Sequence, residues 1–442
     1  MLKSTLLFLM FAILTFSCGK VEDKSEINAQ SLHDAMQKLT DVIVHDIFSP
    51  PVASRIYVYS SIAAYEVLAQ GEAKYKSLAG QLTGLESVPT VENSENISLE
   101  LASIKAFLTV GRQLVFSEDR ILAYEEELYE KFKSQGIPSS KFDASISFGQ
   151  KMADHIISWS GGDMYKETRT FSKYSIINET DKWKPTPPDY MDGIEPHWNK
   201  IRTLVIDSAQ QFVPEPPTAF DMDKSSLFYK ELIEVYETGK NLSPEQEEIA
   251  KFWDCNPYVS HHKGHAMFAT KKITPGGHWI GIAKIASMKN DDNMMQAAEA
   301  YTWTSIALFD GFISCWDEKW NSLLVRPETL INEFLDEEWM PLLQTPPFPE
   351  YTSGHSVVSG AASTVLTHLY GDGFQFDDTT EMIYGLPMRS FNSFKEAADE
   401  AAISRLYGGI HYMPAITNGI VQGRTIGSFI QNKLVTGSKP NS

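Results

Sequence analysis

Apolar residues recur at helical spacing over most of the chain. In SLHDAMQKLTDVIVHDI, Leu32, Met36, Leu39, Val42, Ile43 and Ile47 fall on one face, the pattern of a helix whose apolar stripe meets a core. Pro50 and Pro51 interrupt it, and SRIYVYSSIAAYEVLAQ predicts a second amphipathic helix. Helical patterns follow from Leu99 to Phe116, Glu118 to Gln135 and Lys141 to Ser158. Between Gly161 and Pro217 the pattern lapses into an aromatic, proline-rich stretch with WKPTPPDYMDGIEPHW and FVPEPP, a functional or wrapped connector. Helical texture resumes near Ser225 and runs to about Gln431, with breaks expected at Pro275-Gly276-Gly277, at QTPPFPEYTSG and at GDGFQFDD. No run alternates apolar and polar residues between hairpin turns, so the fold class is all-α.

Residues 1–17, MLKSTLLFLMFAILTFS, place Lys3 before an apolar stretch too short for a membrane span, as a signal peptide does. Cys18 after small or medium residues suggests lipidation there, with 18–30 as a spacer. The expected organisation is thus 1–17 signal peptide, 18–30 spacer, 31–225 N-terminal helical region with its connector, and 226–435 C-terminal helical domain carrying the site. The predicted location is the bacterial cell envelope, with the lipid at Cys18 as the only membrane attachment, or the exterior.

With 442 residues the chain buries a large core without disulfides or a structural metal. Cys255 and Cys315 are too few for a disulfide framework and are expected as buried thiols. The formal charge of −19 argues against nucleic acid as a partner. On that acidic background, cations clustered beside histidines need a local reason.

Three segments supply such clusters. In WDEKWNSLLVRPET, Lys319 and Arg326 stand seven residues apart, which on one helix gives them a common face, and Pro327 is expected to close that helix. In FPEYTSGHSVVSGAASTVLTHLY a proline-rich loop yields at Ser353-Gly354-His355 to a helix. Its free N–H groups and positive dipole end suit an anion, Gly354 permits close approach, Ser353 adds a hydroxyl, and His355 is a candidate acid–base. In AAISRLYGGIHYMPAITNG, the Gly408-Gly409 pair allows Arg405 and His411 to face one point from two directions. Each segment alone has an ordinary structural explanation. If they converge, cations ~4 Å apart repel by about 4 kcal/mol at an effective dielectric of ~20, and only a multiply charged oxyanion, phosphate or vanadate, balances them.

Convergence is what a resemblance supplies. The segments K-WNSLLV-RP, TSGH and SR-LYG-G-I-H resemble, in order and spacing, the three-part signature shared by vanadium-dependent haloperoxidases and type 2 phosphatidic acid phosphatases. Thr352 replaces the proline of the second part, and Ala415 stands where an aspartate often follows the last histidine, leaving open what orients that ring. The proline-rich connector, the aromatics Trp316 and Phe348, and the lack of any further long apolar run favour the haloperoxidase branch, and the overall form is similar to the bacterial iodoperoxidase group.

The resemblance implies vanadate as cofactor, with His411 as the metal ligand through a neutral ring nitrogen. Lys319, Arg326, Ser353, Gly354 and Arg405 would bind its other oxygens, with Trp316 and Phe348 beside it. It further implies His355, Lys319 and His411 as catalytic residues, hydrogen peroxide and halide (iodide and/or bromide before chloride) as substrates, hypohalous acid as product and small organic acceptors. Asp254 is the candidate partner of Arg405. The rival readings are an acid phosphatase with His411 as nucleophile and, from another class, a non-catalytic surface lipoprotein whose aromatics hold ligands.

Overall fold

The computed structural model describes residues 27–92, 94–257, 259–263 and 266–437. The expected signal peptide and Cys18 lie outside the described residues.

Helix α1 (Ala29–His45) begins where Asn28 accepts a hydrogen bond from the Gln30 N–H, and it buries Leu32, Met36, Leu39, Val42 and Ile43 as expected. Ile47 lies past its end with φ 56° rather than on that face. Pro50 occupies the first turn of α2 (Pro50–Leu68), where a missing N–H costs nothing, and every residue of α2 is buried. That is why this helix shows little amphipathic contrast: it is a core element, flanked by α3 (Leu99–Leu114) and α5 (Ser139–Ser160), with α4 (Glu118–Ser134) outside. A short α6 (Tyr165–Thr168) leads into the connector.

The connector is held rather than loose. Its Trp183 and Trp198 are fully buried. Three successive backbone N–H groups, of Leu204, Val205 and Ile206, donate to the buried carboxylate of Asp310 at 2.8, 2.8 and 3.0 Å. This satisfies an irregular backbone that no helix could satisfy.

The second half contains α7 (Leu227–Lys240), α8 (Pro244–Phe252), α9 (Pro275–Lys289), the long α10 (Met294–Ser322), α11 (Pro327–Phe334), α12 (Gly354–Tyr370), α13 (Phe394–Tyr407) and α14 (Met413–Lys433). Pro275-Gly276-Gly277, expected as a break, instead forms the first turn of α9 behind a Thr274 cap, because proline is tolerated at the position where the N–H is unpaired anyway. The pattern also missed two small antiparallel hairpins, β1 (Val259–Lys263) with β2 (Ala266–Thr270) and β3 (Phe376–Asp378) with β4 (Arg389–Phe391), whose strands are too short to show alternation. They leave the class all-α. One hydrophobic core runs from Ile27 to Leu434, with α10 packed on α2 on one side and on α12 on the other. Among the described residues no helix is long and apolar enough to cross a membrane.

Helices α12 and α14 approach at backbone distance. A Cβ on Gly423 would lie 2.0 Å from the Val357 carbonyl oxygen, one on Gly427 2.8 Å from that of Ala361, and one on Gly360 2.7 Å from that of Ile420. This ridge of glycines one turn apart seats α12, whose N-terminus faces the site.

Candidate active site

Lys319 and Arg326 meet, but not through one helix face. Helix α10 ends at Ser322, Leu323 caps it in the left-handed conformation (φ 53°), and Arg326 is the residue that precedes α11, so Pro327 opens the next helix instead of closing the last. The connector pins this turn: the Trp183 N–H donates to the Leu323 carbonyl at 2.7 Å and the Val325 N–H to that of Asp181 at 3.0 Å. Lys319 Nζ, fully buried, donates to the carbonyls of Pro349 and Glu350 at 2.9 and 3.0 Å. Arg326 donates through Nε to the Phe348 carbonyl at 2.9 Å and through Nη1 to the Ile410 carbonyl at 2.8 Å.

Ser353 caps α12, its hydroxyl accepting from the Ser356 N–H at 3.3 Å, so Gly354 and His355 stand in the first turn. The His355 ring is bonded to the backbone of Trp253, and its Nε2 is buried with no partner. Thr352 loses nothing by not being proline; its hydroxyl donates to Gln422 Oε1 on α14 at 2.8 Å. Arg405, near the end of α13, donates to the Trp253 carbonyl at 2.7 Å and to the Ser404 hydroxyl at 2.9 Å. Asp254 makes its ion pair with Lys272 at 2.8 Å and acts on Arg405 through its charge alone, which offsets part of the effect of burial there. Gly409, at φ 78°, makes the turn that carries the chain from α13 to His411.

The residue missed by sequence is Glu350. Its Oε1 accepts from His411 Nδ1 at 2.8 Å and from the Tyr412 N–H at 2.9 Å, and the side chain is fully buried. The signal was available: with Ala415 in the aspartate position, the imidazole needed a carboxylate from elsewhere, and Glu350 is the acidic residue in the loop leading to Ser353. Arg326 Nη1 lies 3.1 Å from His411 Nε2, and an arginine can only donate. The network therefore assigns the proton to Nδ1, held by Glu350, and leaves the Nε2 lone pair facing the cations.

All the cations are pushed toward their neutral forms. Burial, then the Arg326 charge, brings Lys319 down to about 7. Burial brings Arg326 and Arg405 down to about 10. His355 and His411 lie well below the usual histidine range, through burial and then the neighbouring arginines. Burial raises Glu350 to about 7 against the pull of Arg326 and Lys319. Among the described residues no carboxylate makes an ion pair with Lys319, Arg326 or Arg405, although the charge of Glu350 acts on the first two and that of Asp254 on the third, and Arg326 Nη2 and His355 Nε2 have no partner. A compact oxyanion fits that surplus and those orphaned donors.

Trp316 and Phe348 form the wall, rings 4.9 Å apart, with Lys319 Nζ 5.1 Å and the Arg326 guanidinium 5.2 Å from the centre of Phe348. The cavity they border, ≈ 50 Å³, is also lined by Gly354, His355, Arg405 and His411, and by Ile194 of the connector. The structure thus brings together Lys319, Arg326, Ser353, Gly354, His355, Arg405, His411, Trp316 and Phe348.

The family model described as the VCPO second helical-bundle domain matches residues 299–437. The structure described as the first bacterial vanadium-dependent iodoperoxidase is 51% identical, with a TM-score of 0.89 over 94% of this chain and 99% of that one. A holo-type bacterial vanadium-dependent chloroperoxidase shares the fold at 17% identity (TM-score 0.67, 88% of this chain and 94% of that one). Its apo-type counterpart does so at 16% (0.65, 87% and 95%). No curated protein sequence matches. The identity and near-complete coverage in the first of these comparisons show that the chain belongs to the vanadium-dependent haloperoxidase family.

Proposed function

We propose that the chain oxidises halide with hydrogen peroxide, taking iodide and bromide before chloride, and uses vanadate held by His411 Nε2 and the Lys319, Arg326 and Arg405 cradle. The observation that carries this reading is the His411 ring, its Nδ1 proton fixed by Glu350 and its Nε2 lone pair presented among buried cations. Bound vanadate supplies a Lewis acid that activates peroxide with no change in the oxidation state of the metal.

The remaining work belongs to the protein. Lys319, Arg326 and Arg405 bind the oxyanion's oxygens, with the Ser353 hydroxyl and the Gly354 N–H completing the cradle at the start of α12. Glu350 keeps His411 in the tautomer that ligates. His355 Nε2, buried and unpartnered, moves the protons that the net reaction of halide, peroxide and one proton to hypohalous acid and water requires. Lys319, whose amine burial holds down to about 7, would hold a proton against the oxygens of the bound group. Trp316 and Phe348 exclude water around these groups. The hypohalous acid then halogenates small organic acceptors. Iodide is favoured because it gives up electrons most readily. Cys18 serves as a lipid anchor at the cell envelope, which the mass of the mature N-terminus tests.

The deciding experiment is reconstitution of purified protein with vanadate, followed by iodide, bromide and chloride assays with peroxide. Vanadate-dependent oxidation of iodide is the expected result. Fast hydrolysis of phosphate monoesters, with vanadate acting only as an inhibitor, would replace this reading with a phosphatase using His411 as nucleophile.

A further inference from the structure

We propose that Cys255, His278 and Glu381 form a second site, for one zinc-type divalent metal ion, beside the oxyanion cradle and chemically distinct from it. The three side chains come from separate segments: Cys255 follows α8, His278 stands in the first turn of α9, and Glu381 lies between β3 and β4. All three are buried at 1% exposure or less. Cys255 Sγ is 3.4 Å from His278 Nδ1 and 4.0 Å from Glu381 Oε1, and His278 Nδ1 is 3.0 Å from Glu381 Oε1. Sulfur, nitrogen and oxygen ligands at tetrahedral angles and ~2.0–2.3 Å from zinc stand about 3.3–3.6 Å apart, so small shifts close the three around one ion.

Two further observations point to a metal rather than to a thiol that happens to be buried. The far side of the imidazole is already fixed, with Nε2 2.8 Å from Asp378 Oδ2 and 2.8 Å from Thr380 Oγ1. Trp253 stacks on the ring at 4.4 Å between centres. A carboxylate on one ring nitrogen with the other turned toward a thiol and a second carboxylate is the arrangement by which proteins orient a metal-binding histidine. Glu381 Oε2 is buried and has no partner, which offers a fourth donor atom. The charge count agrees: a dication replacing the protons of Nδ1 and Sγ leaves the net buried charge unchanged. A mixed sulfur, nitrogen and oxygen set favours zinc, cobalt or nickel over magnesium or calcium, and two carboxylates beside a thiol repel any oxyanion.

Such an ion braces the active site without entering its chemistry. Cys255 lines the same cavity as Arg405 and His355. Two residues earlier, the Trp253 carbonyl holds Arg405 at 2.7 Å, and the Trp253 backbone also bonds to the His355 ring.

The test uses cobalt(II), added to the purified full chain after chelator treatment and with no vanadate present. One cobalt per chain is expected, with tetrahedral d–d absorption and a near-ultraviolet sulfur-to-cobalt charge-transfer band. The Cys255→Ala variant should lose that band and bind cobalt at least tenfold more weakly while keeping the helical circular dichroism of the parent. Glu381→Gln serves as the second variant, weakening binding but keeping the band. No stoichiometric binding by the parent, or a band that survives Cys255→Ala, overturns the proposal. Vanadate retention is measured separately, so failure here leaves the haloperoxidase reading standing.

Discussion

Two buried arginine sites in this molecule differ in what surrounds their charge. In the first half, Arg55 Nε donates to Asp163 Oδ2 at 2.7 Å and Nη2 donates to the Ser160 carbonyl at 3.1 Å. The same carboxylate accepts from the Tyr59 hydroxyl at 2.9 Å and the Tyr165 N–H at 3.0 Å, and the guanidinium covers the Tyr165 ring. The Arg55 charge there has its complement, and the pair is architecture. In the second half, Lys319, Arg326 and Arg405 donate to backbone carbonyls and, among the described residues, to no carboxylate, and Glu350, the buried acid beside the first two, hydrogen-bonds His411 instead. Buried cations alone do not mark a site. An unbalanced set of them does, because the fold carries the electrostatic cost until a guest arrives.

The comparison can be broken most severely at Arg55. Arg55→Ala leaves Asp163 buried without its cation and should destabilise the protein by roughly 3–5 kcal/mol, with the vanadate dissociation constant unchanged once folded material is assayed; chemical denaturation and equilibrium dialysis give the two readings. His411→Ala should do the reverse. It is expected to lower vanadate affinity by more than about a hundredfold, beyond the 10–100-fold that losing an outer partner costs, with little loss of thermal stability. Glu350→Gln tests the outer partner itself and should weaken vanadate retention by about 10–100-fold, measured by dialysis against graded vanadate.

Lys319→Met sharpens the comparison through pH. Its amine is held down to about 7 in the fold and titrates near 10.5 when unfolded, so between those values the unfolded chain binds the extra proton and stability rises with pH. Below about pH 7 the vanadate-free variant should therefore be more stable than the parent. That advantage should shrink as pH climbs from 7 toward 10, and denaturation curves at several pH values would show it. A constant difference would mean that Lys319 carries no buried charge.

Much of this was legible from spacing and a resemblance, although not always for the right reason. Lys319 and Arg326 were expected to share a helix face; they meet because Leu323 and the connector turn the chain between them, something a seven-residue interval cannot distinguish. The helices with a clear stripe, such as α1, emerged close to their observed bounds. The first turn of α9 did not, since Pro275 and two glycines look like a break until the Thr274 cap is seen. Glu350 and Ile194 stayed hidden because their roles depend on long-range pairing: one reaches a histidine in another loop, and the other enters the cavity wall from the connector. The charge of Asp254 acts on Arg405, as its chemistry suggests, but its ion pair goes to Lys272, which spacing alone does not reveal.

The glycine ridge between α12 and α14 has a bearing on how variation in this chain should be read. At Gly423 even a methyl group would collide with the Val357 carbonyl, and the displaced helix is the one that begins at Ser353. A saturation library scored by peroxidase turnover would rank that position alongside the histidines, although it touches no reactant. Tolerance maps of this enzyme would therefore mix chemistry with scaffolding, and only an assay that separates folded yield from turnover would pull them apart.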